Sequence, residues 1–297
     1  MDGYAQKVVV MAISIKELHS SLGAEIGGVD LSMPLAPDVK QEIDIAWQRY
    51  GVLVFRNQEV TDAEHVKFSR CFGELEVLPE TERTDSSLPE IFILSNVDSA
   101  GEILPEENEA VVFNSLTWAW HTDSCYRKVP SKGAILHGIE VVKGGGGETR
   151  FANLRRALEE MPAVLRDRVE GLKGQHSWAW MRSHRNLPEM NPAEAAKVPP
   201  VQHKLIRKHL DGSESLYISP IYMQRIVGWS EEATRDLVDE LTGWATQERY
   251  VYEHSWEEHD VLMWDNTWTM HMVMPYDSSS QRRVMHRTAI AGIDQVI

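Results

Sequence analysis

Cysteine is nearly absent: Cys71 and Cys125 are the only two in 297 residues. So placed they form no disulfide framework, so a packed core must hold the fold and a reducing cytoplasm is the expected compartment. Positive charge is also scarce. Against 45 aspartates and glutamates stand 30 lysines and arginines, a formal charge of −15. Such a chain repels phosphate backbones and anionic lipid surfaces, so neither nucleic acid nor membrane is an expected partner. No apolar run approaches the ~20 residues of a membrane span, and Met1-Asp2-Gly3-Tyr4 does not begin a basic region followed by an apolar stretch of signal-peptide kind. Internal repeats and low-complexity linkers are missing, and the length suits one large domain over residues 1–297. The glycine run at 144–147 has no following Lys-Ser/Thr pair and no GxGxxG pattern, so it reads as a tight turn and not as a phosphate cradle.

What is present alternates short apolar strands with amphipathic helices. Residues 37–50 have helical periodicity and precede the strand Val52-Leu53-Val54-Phe55. Thr61-Asp62-Ala63-Glu64 is a capping box that opens a second helix to about residue 73. A strand is expected at 91–97, then a Glu-, Gly- and Pro-rich loop at 98–110. Strands at 134–142 and 149–153 flank the glycine turn, and helices are expected at 155–172 and at 231–247, the latter capped by Ser230. Between those helices, residues 176–201 are polar, proline-bearing and weakly periodic, which suggests a lid over a site.

The chemistry-bearing pattern is His121-Thr122-Asp123 followed far along the chain by His271. Two imidazoles and one carboxylate make half an octahedral shell with one face open, the ligand set with which non-haem Fe(II) oxygenases take up a co-substrate and O2. On an extended strand residues i and i+2 point the same way, so one ion could meet both His121 and Asp123. Trp118, Trp120 and Tyr126 surround the pair in a run that reads as partly buried strand, and His271 follows the strand-length apolar run 261–264. Both arms at strand ends suit a barrel or jelly roll whose mouth carries the metal.

Several ordered motifs make the chain resemble the taurine dioxygenase / chlorophenoxyacetate dioxygenase family of Fe(II)- and 2-oxoglutarate-dependent enzymes. They are Leu22-Gly23-Ala24-Glu25-Ile26-Gly27-Gly28-Val29-Asp30-Leu31, Gly51-Val52-Leu53-Val54-Phe55-Arg56-Asn57-Gln58, Trp120-His121-Thr122-Asp123-Ser124, Gly146-Gly147-Glu148-Thr149-Arg150-Phe151, Trp264-Asp265-Asn266 with His271, and Gln281-Arg282-Arg283-Val284-Met285-His286-Arg287. The resemblance implies a mostly β fold with flanking helices around a double-stranded β-helix (jelly roll, cupin-like) core. It also implies His121, Asp123 and His271 as Fe(II) ligands, and Thr149 and Arg283 as the hold on 2-oxoglutarate. Arg287 would then anchor a small anionic organic substrate, with Tyr222, Thr117 and Leu78 lining its pocket. O2 would be the second co-substrate, succinate and CO2 the by-products, and a homo-oligomer (dimer or tetramer) the expected assembly. Asp123 argues against halogenation, which in related enzymes needs that ligand position vacated.

Departures from the pattern bear on the substrate. Where the taurine enzyme has a histidine after its Phe-Gly-Glu-Leu segment this chain reads Glu76-Val77-Leu78, and its pocket asparagine is Thr117 here. Thr267 replaces a frequent arginine, and the 278–280 serine run lengthens one turn by about one residue. An arginine in apolar surroundings suits an aryloxyalkanoate-type carboxylate better than an alkyl sulfonate, which stays the alternative substrate class; a jelly-roll binding protein without turnover is the alternative outside enzymes. Glu253, His254, Glu257, Glu258, His259 and Asp260 read as a solvated turn, His137 and His286 as hydrogen-bonded core histidines, and Trp118, Trp120, Trp178, Trp180 and Trp268 equally as core or substrate cage.

Overall fold

The computed structural model describes residues 13–77, 87–185 and 187–296. Its larger sheet has seven strands, in spatial order Ser14–Glu17, Ala24–Gly27, Val52–Phe55, Val261–Asp265, Gly133–Glu140, Val284–Ile290 and Phe92–Ser95. A smaller sheet orders Val251–His254, Thr149–Asn153 and Thr269–Val273. From residue 133 onward the chain passes from larger to smaller sheet, and from 251 it runs smaller, larger, smaller, larger. That alternation winds a double-stranded β-helix, the jelly-roll core, with helices packed outside it. The pairings are antiparallel except that of Ala24–Gly27 with Val52–Phe55.

The Val-Leu-Val-Phe run explains how the layers are joined. All four side chains are buried, because a strand covered on both faces needs apolar residues at successive positions. Leu53 and Phe55 enter the core shared with Ile43, Ala46 and Trp47 of the helix Pro37–Tyr50 and Phe68 of the helix Asp62–Arg70. Val52 and Val54 point the other way, into the inter-sheet core with Leu136, Phe151, Leu262 and Trp264. The first helix ends at Gly51, whose φ of 70° and closeness to Trp268, 2.3 Å from where a Cβ would sit, admit only glycine. The second opens on the capping box of Thr61 and Glu64, both reciprocal bonds formed.

Elsewhere the structure departs from the sequence reading. Residues 118–126 are not a strand: the helix Glu109–Leu116 runs up to Thr117, and only His121 makes a β-bridge. The helix expected at 155–172 is two, Leu154–Glu159 and Ala163–Val169, because Pro162 cannot continue the first. Residues 176–201 are not irregular throughout. They hold the helix Trp178–His184, whose Met181 is fully buried, and the short helix Pro192–Ala195, between strands of a further three-stranded sheet. The helix Glu231–Ala245, capped by Ser230, closes another core against Leu154, Leu165 and Ile226.

Candidate active site

His271 lies in the last strand of the smaller sheet, and its imidazole fills the space between sheets, packed against Phe151 at 5.8 Å and Trp264 at 5.0 Å, which also meet each other at 5.7 Å. That strand is an edge, and His121 docks on it: the two histidines exchange both backbone hydrogen bonds at 2.9 Å. Their rings are thereby held 4.2 Å apart. Thr122 turns inward and donates its hydroxyl to the Ile218 carbonyl, so the alternation expected of a strand survives over three residues. Asp123 then returns to the histidine side, with Oδ1 3.9 Å from His121 Nε2 and Oδ2 3.8 Å from His271 Nε2. One donor atom from each of the three residues lies within 4.8 Å of the others.

The protonation states fit a divalent metal. His121 Nδ1 is 2.9 Å from the Ala119 carbonyl, so it carries the proton and Nε2 offers its lone pair toward Asp123. Burial, then the neighbouring His121, pushes His271 down to about 3, and burial also lowers His121, so both rings are neutral at pH 7. Burial alone would raise the Asp123 carboxyl, but Arg287, His271 and His121 outweigh it and hold it at about 2. Arg287 Nη1 reaches both carboxylate oxygens at 3.2 Å. Asn266 fixes the backbone: its Oδ1 accepts from Asp123 N–H, and its Nδ2 donates to the carbonyls of Asp123 and Ser131.

Arg283 lines a cavity of about 90 Å³ together with Trp256, Gly146, Gly147, Glu148 and Val142, and Thr149 follows Glu148 and bonds Trp256 at its edge. Arg283 is buried and its Nη2 finds no partner, while burial lowers its pKa. A buried guanidinium without a carboxylate is costly, and the orphaned donor fits an anionic ligand. Gly146 and Gly147, at φ 84° and 78°, let the turn pass where a Cβ would strike Pro275 or Val142. Thr149 Oγ1 accepts from the Trp256 indole at 2.9 Å.

On the other side of Arg287 is an aromatic wall. The guanidinium lies 5.4 Å from the Phe92 ring, Phe92 meets Phe113, Phe113 meets Trp178, and Trp178 meets Tyr126 and Tyr222 at ring separations of 4.7 to 6.4 Å. Tyr222 and Arg287 thus stand at the two ends of one run of contacting rings. Thr117 closes the helix Glu109–Leu116 and gives its hydroxyl to the Asn114 carbonyl. Leu78 lies outside the described residues. Of the tryptophans, Trp178 belongs to the wall, whereas Trp268 is fully buried beneath Gly51 and Arg155.

Sequence reasoning did not bring Phe92, Phe113 and Tyr126 into one wall, because that depends on three segments meeting. Of the six residues read as a solvated turn, Glu253, Glu257 and Glu258 are exposed as expected, and His254 and Asp260 are not. His254 and Asp260 are fully buried, not solvated: Asp260 Oδ2 accepts from Arg56 at 2.6 Å, from the Glu257 backbone at 2.8 Å and from His254 at 3.1 Å. His286 is half-buried and bonds Asp62, whereas His137, expected to be hydrogen-bonded, is buried between His65 and His259 with neither ring nitrogen paired among the described residues.

Fold and site together define a double-stranded β-helix oxygenase with a two-histidine, one-carboxylate metal centre. The family model for the taurine catabolism dioxygenase TauD, TfdA family matches residues 14–289. The alpha-ketoglutarate-dependent 2,4-dichlorophenoxyacetate dioxygenase of Cupriavidus pinatubonensis is 28% identical over 283 residues, 94% of this chain and 98% of that protein. The (S)-phenoxypropionate/alpha-ketoglutarate-dioxygenase of Sphingobium herbicidovorans is 30% identical over 292 residues, 95% of this chain and 96% of that one. The crystal structure of AAD-2 in complex with Mn(II) and N-oxalylglycine superposes with a TM-score of 0.87 at 33% identity, covering 97% of this chain and 99% of that one. The chain belongs to the TauD/TfdA family and is an Fe(II)- and 2-oxoglutarate-dependent dioxygenase.

Proposed function

We propose that the substrate is an aryloxyalkanoate-type carboxylate, hydroxylated beside its ether oxygen so that the C–O bond breaks. The observation that carries this reading is the wall running from Tyr222 through Trp178, Tyr126, Phe113 and Phe92 to Arg287, which already touches Asp123. Aromatic rings seat an aryl group and a guanidinium seats a carboxylate. Distance along that wall would then set which carbon stands nearest the metal.

His121, Asp123 and His271 would hold Fe(II), and Arg283 with Thr149 the far carboxylate of 2-oxoglutarate. When bound, Fe(II) supplies the O2-activating redox chemistry that couples decarboxylation of 2-oxoglutarate to oxidation of a C–H bond. Arg287 neutralises Asp123 and keeps further N–H groups for the substrate anion. Buried Phe151 and Trp264 keep water from the far side of His271. The (S)-phenoxypropionate and 2,4-dichlorophenoxyacetate enzymes similar to this chain act on substrates of this shape. Oxygen uptake with matched acid and ester pairs of an aryloxyalkanoate tests the reading. A strong preference for the acid supports it, and equal rates, or a preference for an uncharged compound, contradict it.

A further inference from the structure

We propose that Trp256 is a positioning residue for the co-substrate: its indole N–H occupies a lone pair of Thr149 and leaves the threonine hydroxyl proton to point into the Arg283 cavity. The inference rests on the reading that Thr149 and Arg283 hold 2-oxoglutarate. A threonine hydroxyl has one proton and two lone pairs, so by itself it can donate or accept. Here the Trp256 Nε1–H is 2.9 Å from Oγ1. An indole nitrogen can only donate, so that bond fixes the oxygen as acceptor on one side. Thr149 is 2% exposed, and the cavity beside it is lined by both Trp256 and Arg283, whose Nη2 lacks a partner. The hydroxyl would then join Arg283 as a second donor to one anion site.

The indole is itself flanked on two further sides. The His254 ring meets it edge to face at 4.8 Å and 89°. His254 cannot turn, since the Tyr252 hydroxyl lies 3.1 Å from its Nδ1 and Asp260 Oδ2 3.1 Å from its Nε2. Asp260 is in turn gripped by Arg56. Gly138 gives room on the larger sheet, because a Cβ there would stand 3.2 Å from Trp256 Cε3 and 3.1 Å from Val141. A buried charged network thus continues through one indole to a hydroxyl, which a merely space-filling tryptophan would not need.

The test is calorimetric titration of the Mn(II)-loaded full chain with 2-oxoglutarate, for the native protein, Trp256→Phe, Thr149→Val and the double variant. Each single change should weaken 2-oxoglutarate about tenfold, the typical effect of losing one buried hydrogen bond, with Mn(II) affinity unchanged. The double variant should bind no worse than Thr149→Val, because without the hydroxyl the indole has nothing to orient. Unchanged affinity in Thr149→Val would remove the co-substrate role of Thr149 itself. Weakening in Thr149→Val but none in Trp256→Phe, or fully additive losses, would overturn the role of Trp256 alone. If Trp256→Phe does not fold, solvent exchange of the Trp256 indole N–H in the native Zn(II)-loaded chain decides: it should slow when 2-oxoglutarate is added, and an unchanged rate overturns the proposal.

Discussion

Arg283 and Arg287 carry the same group four residues apart and meet opposite surroundings. Arg283 is buried with an unpaired nitrogen beside a cavity, and Arg287 shares one nitrogen between the two oxygens of Asp123. Arg283→Ala should therefore raise the 2-oxoglutarate requirement roughly 100-fold and leave metal affinity alone; a normal KM for 2-oxoglutarate would show that another cation holds it. Arg287→Ala should weaken the prime substrate and also loosen the metal, by roughly tenfold as for other contacts that orient a ligand. Equal Fe(II) affinity in that variant would mean that Asp123 needs no such hold. Asn266→Ala should cost about 10- to 100-fold in Fe(II) affinity on the same ground, since one carboxamide binds both backbone groups of Asp123; equilibrium dialysis against Fe(II) checks it. The triad was legible in the sequence because a ligand spacing that is common by chance stood here among aromatic neighbours and within an ordered set of family motifs. Asn266 lay in a motif whose residues could be quoted but whose function could not be read, because only the fold places it under Asp123.

At the scale of elements, strands and helices with their own local signals were legible. Val52–Phe55 is continuously apolar, and Thr61 with Glu64 satisfies the orphan donors of a helix start. The strand expected around His121 failed because aromatic residues mark burial before they mark conformation. Trp118 rests on Tyr276, and a single bridge to His271 does the work of a strand. Within the charged turn at 253–260, Asp260 departs from the solvated reading for a related reason: composition suggested water, whereas Arg56, 204 residues from Asp260, supplies the counter-charge. Element ends offer a direct check. Gly51→Ala must place a Cβ at positive φ against Trp268, and should lower unfolding free energy in urea by more than the ~1 kcal/mol typical of a point substitution. No change in the urea midpoint would show that the junction between helix and strand can relax.

The whole molecule buries several histidines away from the metal. Burial, with His137 adding to it, pushes His65 down to about 3; burial, with His259, pushes His137 to about 4; burial and His203 push His176 to about 3. These folded-state values lie below the usual 6.5, so between pH 6.5 and about 3 to 4 the unfolded chain binds more protons. Their stabilisation is complete above pH 6.5 and is lost as pH falls through that window, by up to about 1.4 kcal/mol per pH unit for each histidine. Urea unfolding at pH 7 and pH 5 should show that loss, and His176→Leu should reduce its slope; a flat profile would mean that these rings are protonated in the fold. The chain's central property is an open metal site built by three residues from two segments. Anaerobic titration of the metal-free chain with Fe(II) and then 2-oxoglutarate, followed by visible absorption, tests it directly. One Fe(II) per chain should bind and give a charge-transfer band on adding 2-oxoglutarate, and the band should vanish in His121→Ala and Asp123→Ala while far-UV circular dichroism stays native. An undiminished band in both variants would contradict the site.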